Sequence, residues 1–547
     1  MYGKQLIHKL LLSSLLLVSS SYCNEAITLQ WLEDKPRSTT KDFYIWQFLQ
    51  QDITPQEAQF ALGEAKNVNM ILFTRYAKKL HHEETNAIIE CINAQAVDLL
   101  TQSSDCLALG LTPSKAVSLD YNQKLQAIDI LEETYPDDAT VLKVFNAPLP
   151  FTKLLATPPN LFFKIFNQSP LPFVEEFFNY RIPTSLLDKL SQFEAFNQSI
   201  SRIVTNESLK NLQESLLSTF DTTKLNHQSL FFLALNALQY EQNELAIYYL
   251  EEASKKAYSK RTKDKILFWH YKITQQNELL DELSNSFDIN LYSLYAKEML
   301  NKLPNNIEYT INTQESTPSS FDTSDPFAWI EVLENLKNKS LEDIQEYETL
   351  FNTQETLPHL AYVYERLSKY QTFYFITPYS QYLQSYDLKR QALMYALAKQ
   401  ESHFIPTAIS HSYALGVMQI MPFLSKNIAE ELKEPYVIYE QFNPQTNLKY
   451  ANYHLDYLEK HLVNPLFIAY AYNGGIGFMK RTIEKGFLKK ESPYEPFLSM
   501  ELMSNEESRE YGKQVLANYY VYINHLDTTG STKLSTLLEN LQHNFPQ

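Results

Sequence analysis

Glycine content is the sequence feature that most constrains the fold of this chain. Only 10 of the 547 residues are glycine, and seven of them lie after residue 415. Glycine usually supplies the positive φ angles of tight turns. Its scarcity therefore argues against a turn-dense all-β protein, collagen-like repeats and Gly/Ser linkers. We expect an all-α chain whose last part differs in structure from the part before it.

Size and charge narrow the possibilities further. A chain of this length, with 44% hydrophobic residues, can bury more than one core. The net charge is −17, yet residues 387 to 547 carry 15 basic and 17 acidic side chains, so most of the excess negative charge lies before residue 387. Binding to nucleic acid requires a basic surface. We therefore expect no nucleic-acid partner.

Residues 1 to 23 have the pattern of a secretory signal peptide, with a charged start, an apolar run from 10 to 18 and an exit of small residues. This pattern predicts an exported, periplasmic protein. A transmembrane anchor is the alternative, but the run is shorter than the roughly 20 residues that span a bilayer, and no later segment qualifies. We expect no integral membrane segment in the mature chain. Lipid attachment at Cys23, with outer-membrane anchoring, is less favoured because the bulky Tyr22 precedes it.

Cys91 and Cys106 are the two cysteines that remain beyond the signal peptide. In an oxidising compartment a pair so spaced predicts a disulfide bond. Two separately buried thiols are the alternative.

Residues 24–304 consist of apolar stripes at helical spacing, separated by polar or proline breaks. In the stretches 230–240 and 244–253, small alanines alternate with bulky Leu and Tyr on one face, as they do in stacked helix pairs. No strict repeat length can be aligned. The pattern predicts an α-helical superhelical, solenoid-like domain.

Residues 305–374 have the pattern of a connecting helical module. The polar, Ser/Thr/Pro-rich stretch from Asn305 to Pro326 predicts an extended crossover. Helices are expected to follow at 327–338, 341–352 and 357–370.

The strongest helix prediction covers residues 386–402. Leu393, Leu397 and Glu401 share one face at i, i+4 and i+8, so a carboxylate continues an apolar stripe. Burial disfavours the charged form of a carboxyl group, so Glu401 could remain protonated near neutrality and act as a general acid. The alternative is a solvated glutamate in the last helical turn.

Four motifs occur in order in this last part of the chain. They are ESHFIP from Glu401, ALGVMQIMP up to Pro422, AYNGG from Ala471, and Glu501 six residues before the ESREY that ends at Tyr511. Together they resemble the catalytic domain of the soluble lytic transglycosylase family, which is lysozyme-like and related to goose-type lysozyme. The resemblance covers residues 375 to 530, and it predicts a mainly α catalytic domain over 375–547.

The chain departs from the family pattern at two positions. Tyr413 stands where the family commonly has glycine, and Ser508 where it has threonine. The tyrosine could alter its turn and narrow the cleft. Neither position is the acid.

The resemblance implies a single catalytic acid and base, Glu401. It also implies sugar-binding roles for Ser410, Gln419, Met421, Tyr472, Asn473 and Glu501. The implied substrate is the glycan strand of peptidoglycan, cleaved at the MurNAc-β-1,4-GlcNAc bond through an oxocarbenium-like centre. In the family the substrate's N-acetyl group is thought to assist, and the tethered 6-hydroxyl then closes a 1,6-anhydro ring. No cofactor is implied. Other periplasmic cell-wall enzymes are a second class of partner.

Each implied role has an alternative. Gln419 and Asn473 could instead bond backbone at helix ends, and Met421 and Tyr472 could be packing residues. His403 and His411 are eight positions apart, which is no recognised metal-ligand spacing, so we expect no metal site. For the whole protein the alternatives are a goose-lysozyme-like muramidase, in which water captures the intermediate, and a non-catalytic wall-binding helical scaffold.

Overall fold

The computed structural model describes residues 26–80, 83–312, 320–488, 491–529, 532–539 and 541. The predicted signal peptide lies outside these ranges. The regular secondary structure of the described chain is helical, apart from two strands of two residues each. The prediction of an all-α fold is therefore confirmed. No helix within the described ranges is both long enough and apolar enough to cross a membrane.

The first part of the chain folds as a succession of short helices. Its first eleven α-helices are α1 Leu29–Glu33, α2 Thr39–Phe48, α3 Pro55–Gly63, α4 Met70–Leu80, α5 Glu83–Asn93, α6 Ala96–Leu99, α7 Ser104–Gly110, α8 Pro113–Ala116, α9 Tyr121–Leu131, α10 Pro136–Phe145 and α11 Pro150–Leu155. The next ten are α12 Pro159–Gln168, α13 Leu171–Phe173, α14 Thr184–Leu190, α15 Phe196–Val204, α16 Lys210–Ser215, α17 His227–Gln239, α18 Asn243–Lys256, α19 Lys260–Thr274, α20 Asn277–Ser284 and α21 Leu291–Met299. A π-helical segment, Val174–Phe178, follows α13.

Between residues 300 and 375 the described chain forms α22 Pro326–Asn335, α23 Ile344–Leu350 and α24 Leu357–Leu367, with 3-10 turns at Leu336–Asn338 and Leu341–Asp343. The three predicted helical stretches are thus confirmed. The predicted crossover is only partly described, and it contains the strand β1, Ile307–Glu308. That strand pairs in parallel with β2, Phe373–Tyr374, and this pairing was not predicted.

The last part of the chain surrounds the predicted catalytic helix. Its α-helices are α25 Ser380–Leu383, α26 Leu388–Ser402, α27 Pro422–Leu432, α28 Pro444–Glu459, α29 Pro465–Gly474, α30 Ile476–Glu484, α31 Phe497–Leu502, α32 Glu506–Leu526 and α33 Leu534–Glu539. A 3-10 segment, Ile438–Phe442, precedes α28. Both α26 and α29 pack against α32.

Proline explains where many of these helices begin. The helices α3, α8, α10, α11, α12, α22, α27, α28 and α29 each have proline as their first residue. Proline has no N–H to lose in the first turn, and its fixed φ suits a helix. Thr54 adds a capping box to α3, since its hydroxyl accepts from the backbone of Glu57 while the Glu57 carboxylate accepts from the Thr54 backbone.

One continuous apolar core extends from the superhelical region into the last part of the chain, from Ala96 to Leu541. A second core joins the first helices to the catalytic region, because Phe43 and Tyr44 of α2 pack with Tyr413 and Phe442. At the other end of the superhelical region, α21 packs against α32. The first helical region, which we predicted to be superhelical, therefore contacts the last part of the chain, which we predicted to be catalytic, at both of its ends.

The predicted disulfide is confirmed. Cys91 of α5 and Cys106 of α7 are bonded, with 5.3 Å between their Cα atoms. The bond links two helices that pack directly against each other.

Candidate active site

Glu401 lies in the last turn of α26, where the sequence predicted it. Leu393 and Leu397, one and two turns earlier on the same face, are fully buried. Helix α26 is capped at its start by the Asp387 side chain, and it ends at His403, whose φ of +51° is left-handed. Glu401 itself is half-buried.

The surroundings of Glu401 favour its neutral form. The pKa of the carboxyl group is raised to about 7, mainly by burial and to a smaller extent by the nearby carboxylate of Glu507. The Tyr511 hydroxyl donates a hydrogen bond of 2.6 Å to Oε1, which acts in the opposite direction because it stabilises the charged form. A group with a pKa near 7 can be protonated before a reaction and accept a proton later.

Tyr511 reaches Glu401 because α32 lies against α26 along much of its length. The Asn518 amide of α32 donates to the carbonyl of Ala396, 3.3 Å away. On the opposite side, Gly512 lets α32 approach α29: a Cβ there would lie 2.2 Å from the Tyr470 ring. Sequence reasoning matched Tyr511 to a family motif but gave it no role, because its contact with Glu401 joins residues 110 positions apart.

The loop from 408 to 421 carries three of the predicted sugar-binding residues. Gly416 has φ +82°, and a Cβ there would lie 2.1 Å from the carbonyl oxygen of Gln441, so only glycine fits. The side-chain amide oxygen of Asn447, Oδ1, accepts a hydrogen bond of 2.7 Å from the backbone N–H of Met418. Asn447 also donates to the carbonyl of Leu415 at 3.1 Å. Asn447 therefore fixes the loop, a role that sequence reasoning missed.

Ser410, Gln419 and Met421 occupy different parts of this loop. The Ser410 hydroxyl accepts from the backbone of Ala414 at 2.9 Å and closes a turn. The Gln419 amide donates to the carbonyls of Ala408 and Gly416, at 3.0 and 2.8 Å. The Gln419 side chain therefore makes the backbone hydrogen bonds that the sequence analysis gave as the alternative to sugar binding. Met421 is half-buried immediately before α27.

Tyr472 and Asn473 lie at the end of α29. The Tyr472 hydroxyl donates to the carbonyl of Met418 at 2.8 Å, and the charge of Glu401 contributes to the raised pKa of this tyrosine, after burial. The Asn473 amide donates to Glu507 Oε1 at 3.0 Å and accepts from the Ser508 hydroxyl at 2.8 Å. Serine at 508 therefore supplies the hydroxyl that threonine would carry in the family.

The structure does not bring Glu501 to a sugar-accessible surface. Its side chain is fully buried, and both carboxylate oxygens accept from Lys513 Nζ, at 2.9 and 2.8 Å. The hydroxyl of Tyr292, from α21, donates to the same carboxylate. We therefore correct its assignment from sugar binding to a buried ion pair between α31 and α32, to which Tyr292 connects α21. The motif could not reveal this, because the partner lysine lies outside it.

His403 and His411 lie in different surroundings. His403 lies beside Glu365, with 3.7 Å between Nε2 and Oε2, and burial lowers its pKa to about 4. His411 instead accepts, through its backbone carbonyl, from Asn69. Within the described ranges no group of three or more metal-ligating side chains occurs.

The predicted domain boundary at residue 375 falls directly after β2.

In this helical part of the chain one half-buried glutamate with a raised pKa lies under a tyrosine hydroxyl, an arrangement suited to general acid catalysis. More particularly, residues 379–494 match the family model of the transglycosylase SLT domain. The chain carries that domain, and the resemblance to the soluble lytic transglycosylases is confirmed.

Individual proteins also resemble the chain. A Haemophilus influenzae protein described as a soluble lytic murein transglycosylase is 37% identical over 103 residues, a match that spans 18% of this chain and 17% of the relative. The 70 kDa soluble lytic transglycosylase of Escherichia coli matches with 16% identity and a TM-score of 0.48, over 93% of this chain and 84% of the other. The lytic transglycosylase Slt of Pseudomonas aeruginosa matches with 14% identity and a TM-score of 0.45, over 92% and 89%.

Proposed function

We propose that this chain is an exported lytic transglycosylase that cleaves the MurNAc-β-1,4-GlcNAc bond of peptidoglycan and leaves a 1,6-anhydroMurNAc end. The observation that carries the proposal is Glu401: a carboxyl group with a pKa raised to about 7, hydrogen-bonded by Tyr511, in a matched SLT domain.

The proposed reaction begins with Glu401 as general acid. Its proton passes to the bridging O4 oxygen as the C1–O4 bond breaks, and positive charge develops at C1 of the muramyl sugar. The substrate's own N-acetyl oxygen then stabilises C1 as an oxazolinium-like intermediate. Glu401 is left as a carboxylate, and the Tyr511 hydroxyl stabilises that charge through its hydrogen bond.

In the second step Glu401 acts as general base. Its carboxylate takes the proton from the 6-hydroxyl of the same sugar, and O6 forms a bond to C1 as the bond between C1 and the N-acetyl oxygen breaks. The acid is regenerated and no water is consumed. Because O6 is tethered to the reacting carbon, its effective concentration is high. The sugar itself would lie near Ser410, Met421, Tyr472 and Asn473, which we propose as binding residues.

A hydrolase of the goose-lysozyme type is the second candidate, and Glu507 is the observation that favours it. This carboxylate is close enough to Glu401 to raise its pKa, and Asn473 orients it through a hydrogen bond of 3.0 Å. A second carboxylate could activate water as a general base. Glu507→Gln would then abolish cleavage, whereas a transglycosylase that uses Glu401 alone would retain it.

Export to the periplasm is part of the same proposal. The predicted signal peptide lies outside the described residues. The disulfide between Cys91 and Cys106 supports export, because such bonds persist in oxidising compartments.

Mass spectrometry of the muropeptides released from purified peptidoglycan tests the proposal. Wild type should release anhydro-ended products, and Glu401→Gln should release none, while Glu484→Gln, an exposed glutamate on α30, serves as the matched control. Products heavier by one water would identify a hydrolase. A folded wild type that binds sacculi without any release would refute both enzymes and support the scaffold.

A further inference from the structure

A cavity of about 780 Å³ lies between α2 and the last part of the chain. Glu401, Tyr472 and Tyr511 are not among the residues that line it. Its walls come from two parts of the chain that are far apart in sequence. Trp46 and Gln47 of α2 form one side, and Tyr413, Met421, Phe423 and Tyr439 form the other. From this cavity we infer that the N-terminal helices supply an additional glycan subsite, which binds an N-acetylhexosamine unit of the strand away from the scissile bond.

The chemistry of the walls fits a sugar. Sugar rings carry C–H bonds on their faces, and these pack on the electron-rich faces of aromatic rings. The cavity offers Trp46 and Tyr439 for such contacts, with the buried Tyr413 behind Trp46, and Phe423 at its edge is 72% exposed. The Gln47 amide is half-buried on the same wall and offers a donor and an acceptor for hydroxyl or acetamido groups. Ligand pockets commonly combine apolar walls with a few polar groups.

The aromatic wall is held in place before any ligand binds. The rings of Trp46 and Tyr413 are stacked, with centroids 5.5 Å apart. Phe43 packs edge-on against Tyr413 at 5.8 Å, and Tyr439 stacks on Tyr44 at 5.8 Å. A preorganised wall lowers the entropy lost on binding.

Tyr413 connects this cavity with the departure from the family pattern. Its φ of +66° is in the left-handed region that favours glycine, so the tyrosine is kept there at a conformational cost. Its side chain is buried against α2. The residue that replaces the family's glycine is thus the one that connects the catalytic loop to the superhelical region and forms part of the cavity wall.

The cavity shares Met421 with the proposed sugar-binding residues. This residue lines the cavity, and Met418, whose carbonyl accepts from Tyr472, lies three residues before it. Three residues of chain span at most about 10 Å. A strand bound at Glu401 could therefore extend past Met421 into the cavity. This inference rests on the proposed function, since a subsite has meaning only if the catalytic region binds glycan.

Binding of N-acetylglucosamine oligosaccharides to the Glu401→Gln protein tests the inference. The dissociation constants of the tetrasaccharide and the octasaccharide are measured by calorimetry, and their ratio reports the contribution of outer subsites. Adding Trp46→Ala should reduce the preference for the octasaccharide about tenfold, equivalent to about 1.4 kcal/mol. Tyr258→Ala, an 85% exposed aromatic residue of the superhelical region, is the matched control.

Phe423→Ala is a second variant of the same cavity, for the case that Trp46→Ala loosens the contact between α2 and the last part of the chain. Its side chain is mostly exposed, so its removal should leave the fold intact while it weakens octasaccharide binding. An unchanged ratio in both variants would overturn the subsite. If the wild type then still released anhydro-muropeptides, only the subsite would have failed. If the Glu401→Gln protein bound neither oligosaccharide and the wild type released nothing, the proposed function would have failed with it.

Discussion

Replacing Glu401 by glutamine should stabilise the protein at high pH and leave its stability nearly unchanged at low pH. The pKa of the carboxyl group is about 7 in the folded chain, against an ordinary value of 4.5. Folding therefore favours the protonated form. The stability that Glu401 contributes is fully present below pH 4.5, and it is lost as the pH rises through 7. Glutamine resembles the protonated carboxyl group and does not ionise, so the variant keeps this stability as the pH rises.

The size of the effect follows from the pKa difference. One pKa unit corresponds to about 1.36 kcal/mol, so the wild type should be less stable than Glu401→Gln by about 3 kcal/mol at pH 8. At pH 5 the difference should be below about 1 kcal/mol, because the group remains largely protonated in the folded chain.

Urea unfolding of both proteins at pH 5 and pH 8, monitored by tryptophan fluorescence, measures the difference. Glu484→Gln carries the same chemical change at an exposed position and serves as the control. The reasoning would be refuted if the difference between wild type and Glu401→Gln were equal at the two pH values, or if the variant were the less stable protein at pH 8. Either result would mean that burial does not hold Glu401 in its neutral form.

Three further predictions concern the residues that support Glu401. Tyr511→Phe removes the hydrogen bond that stabilises the charged form of Glu401, so the alkaline limb of the kcat/KM profile should move up by about 1 to 2 pH units. Lys513→Met leaves the Glu501 carboxylate buried without its ion pair and should reduce the free energy of unfolding by about 3 to 5 kcal/mol. Gly416→Ala places a Cβ against a backbone carbonyl at φ +82° and should cost about 2 kcal/mol or more in the same measurement.

Each of these variants has a matched control. Tyr395→Phe alters another buried tyrosine, which belongs to α26 itself and packs against Tyr522, and should leave the pH profile in place. Replacing both Lys513 and Glu501 by methionine should recover most of the lost stability, because no charge stays unpaired. Gly475→Ala has the same φ of +82° but open space around the new Cβ, so it should cost less than Gly416→Ala. Equal costs would show that strain alone, without the contact, restricts position 416.

The sequence alone determined the helical class, the position of the proposed acid Glu401 on its helix and the pairing of the two cysteines. These features depend on local information: helical periodicity, the placement of glycine and proline, and motifs that are short in sequence. The stripe of Leu393, Leu397 and Glu401 is one example, since residues four apart share a helix face whatever surrounds them. The disulfide could be predicted because only one pair of cysteines remained after the signal peptide.

Only the tertiary structure decided what surrounds these residues. Tyr511 contacts Glu401 across 110 positions, and Glu501 pairs with a lysine outside every motif, so neither contact was encoded in local spacing. The role of Tyr413 likewise depends on a contact between distant parts of the chain. In the sequence it is only a departure from the family motif, whereas in the structure it packs against Phe43 of α2. A motif specifies which side chains are present, whereas the packing of distant helices determines which of them become buried, paired or open to a substrate.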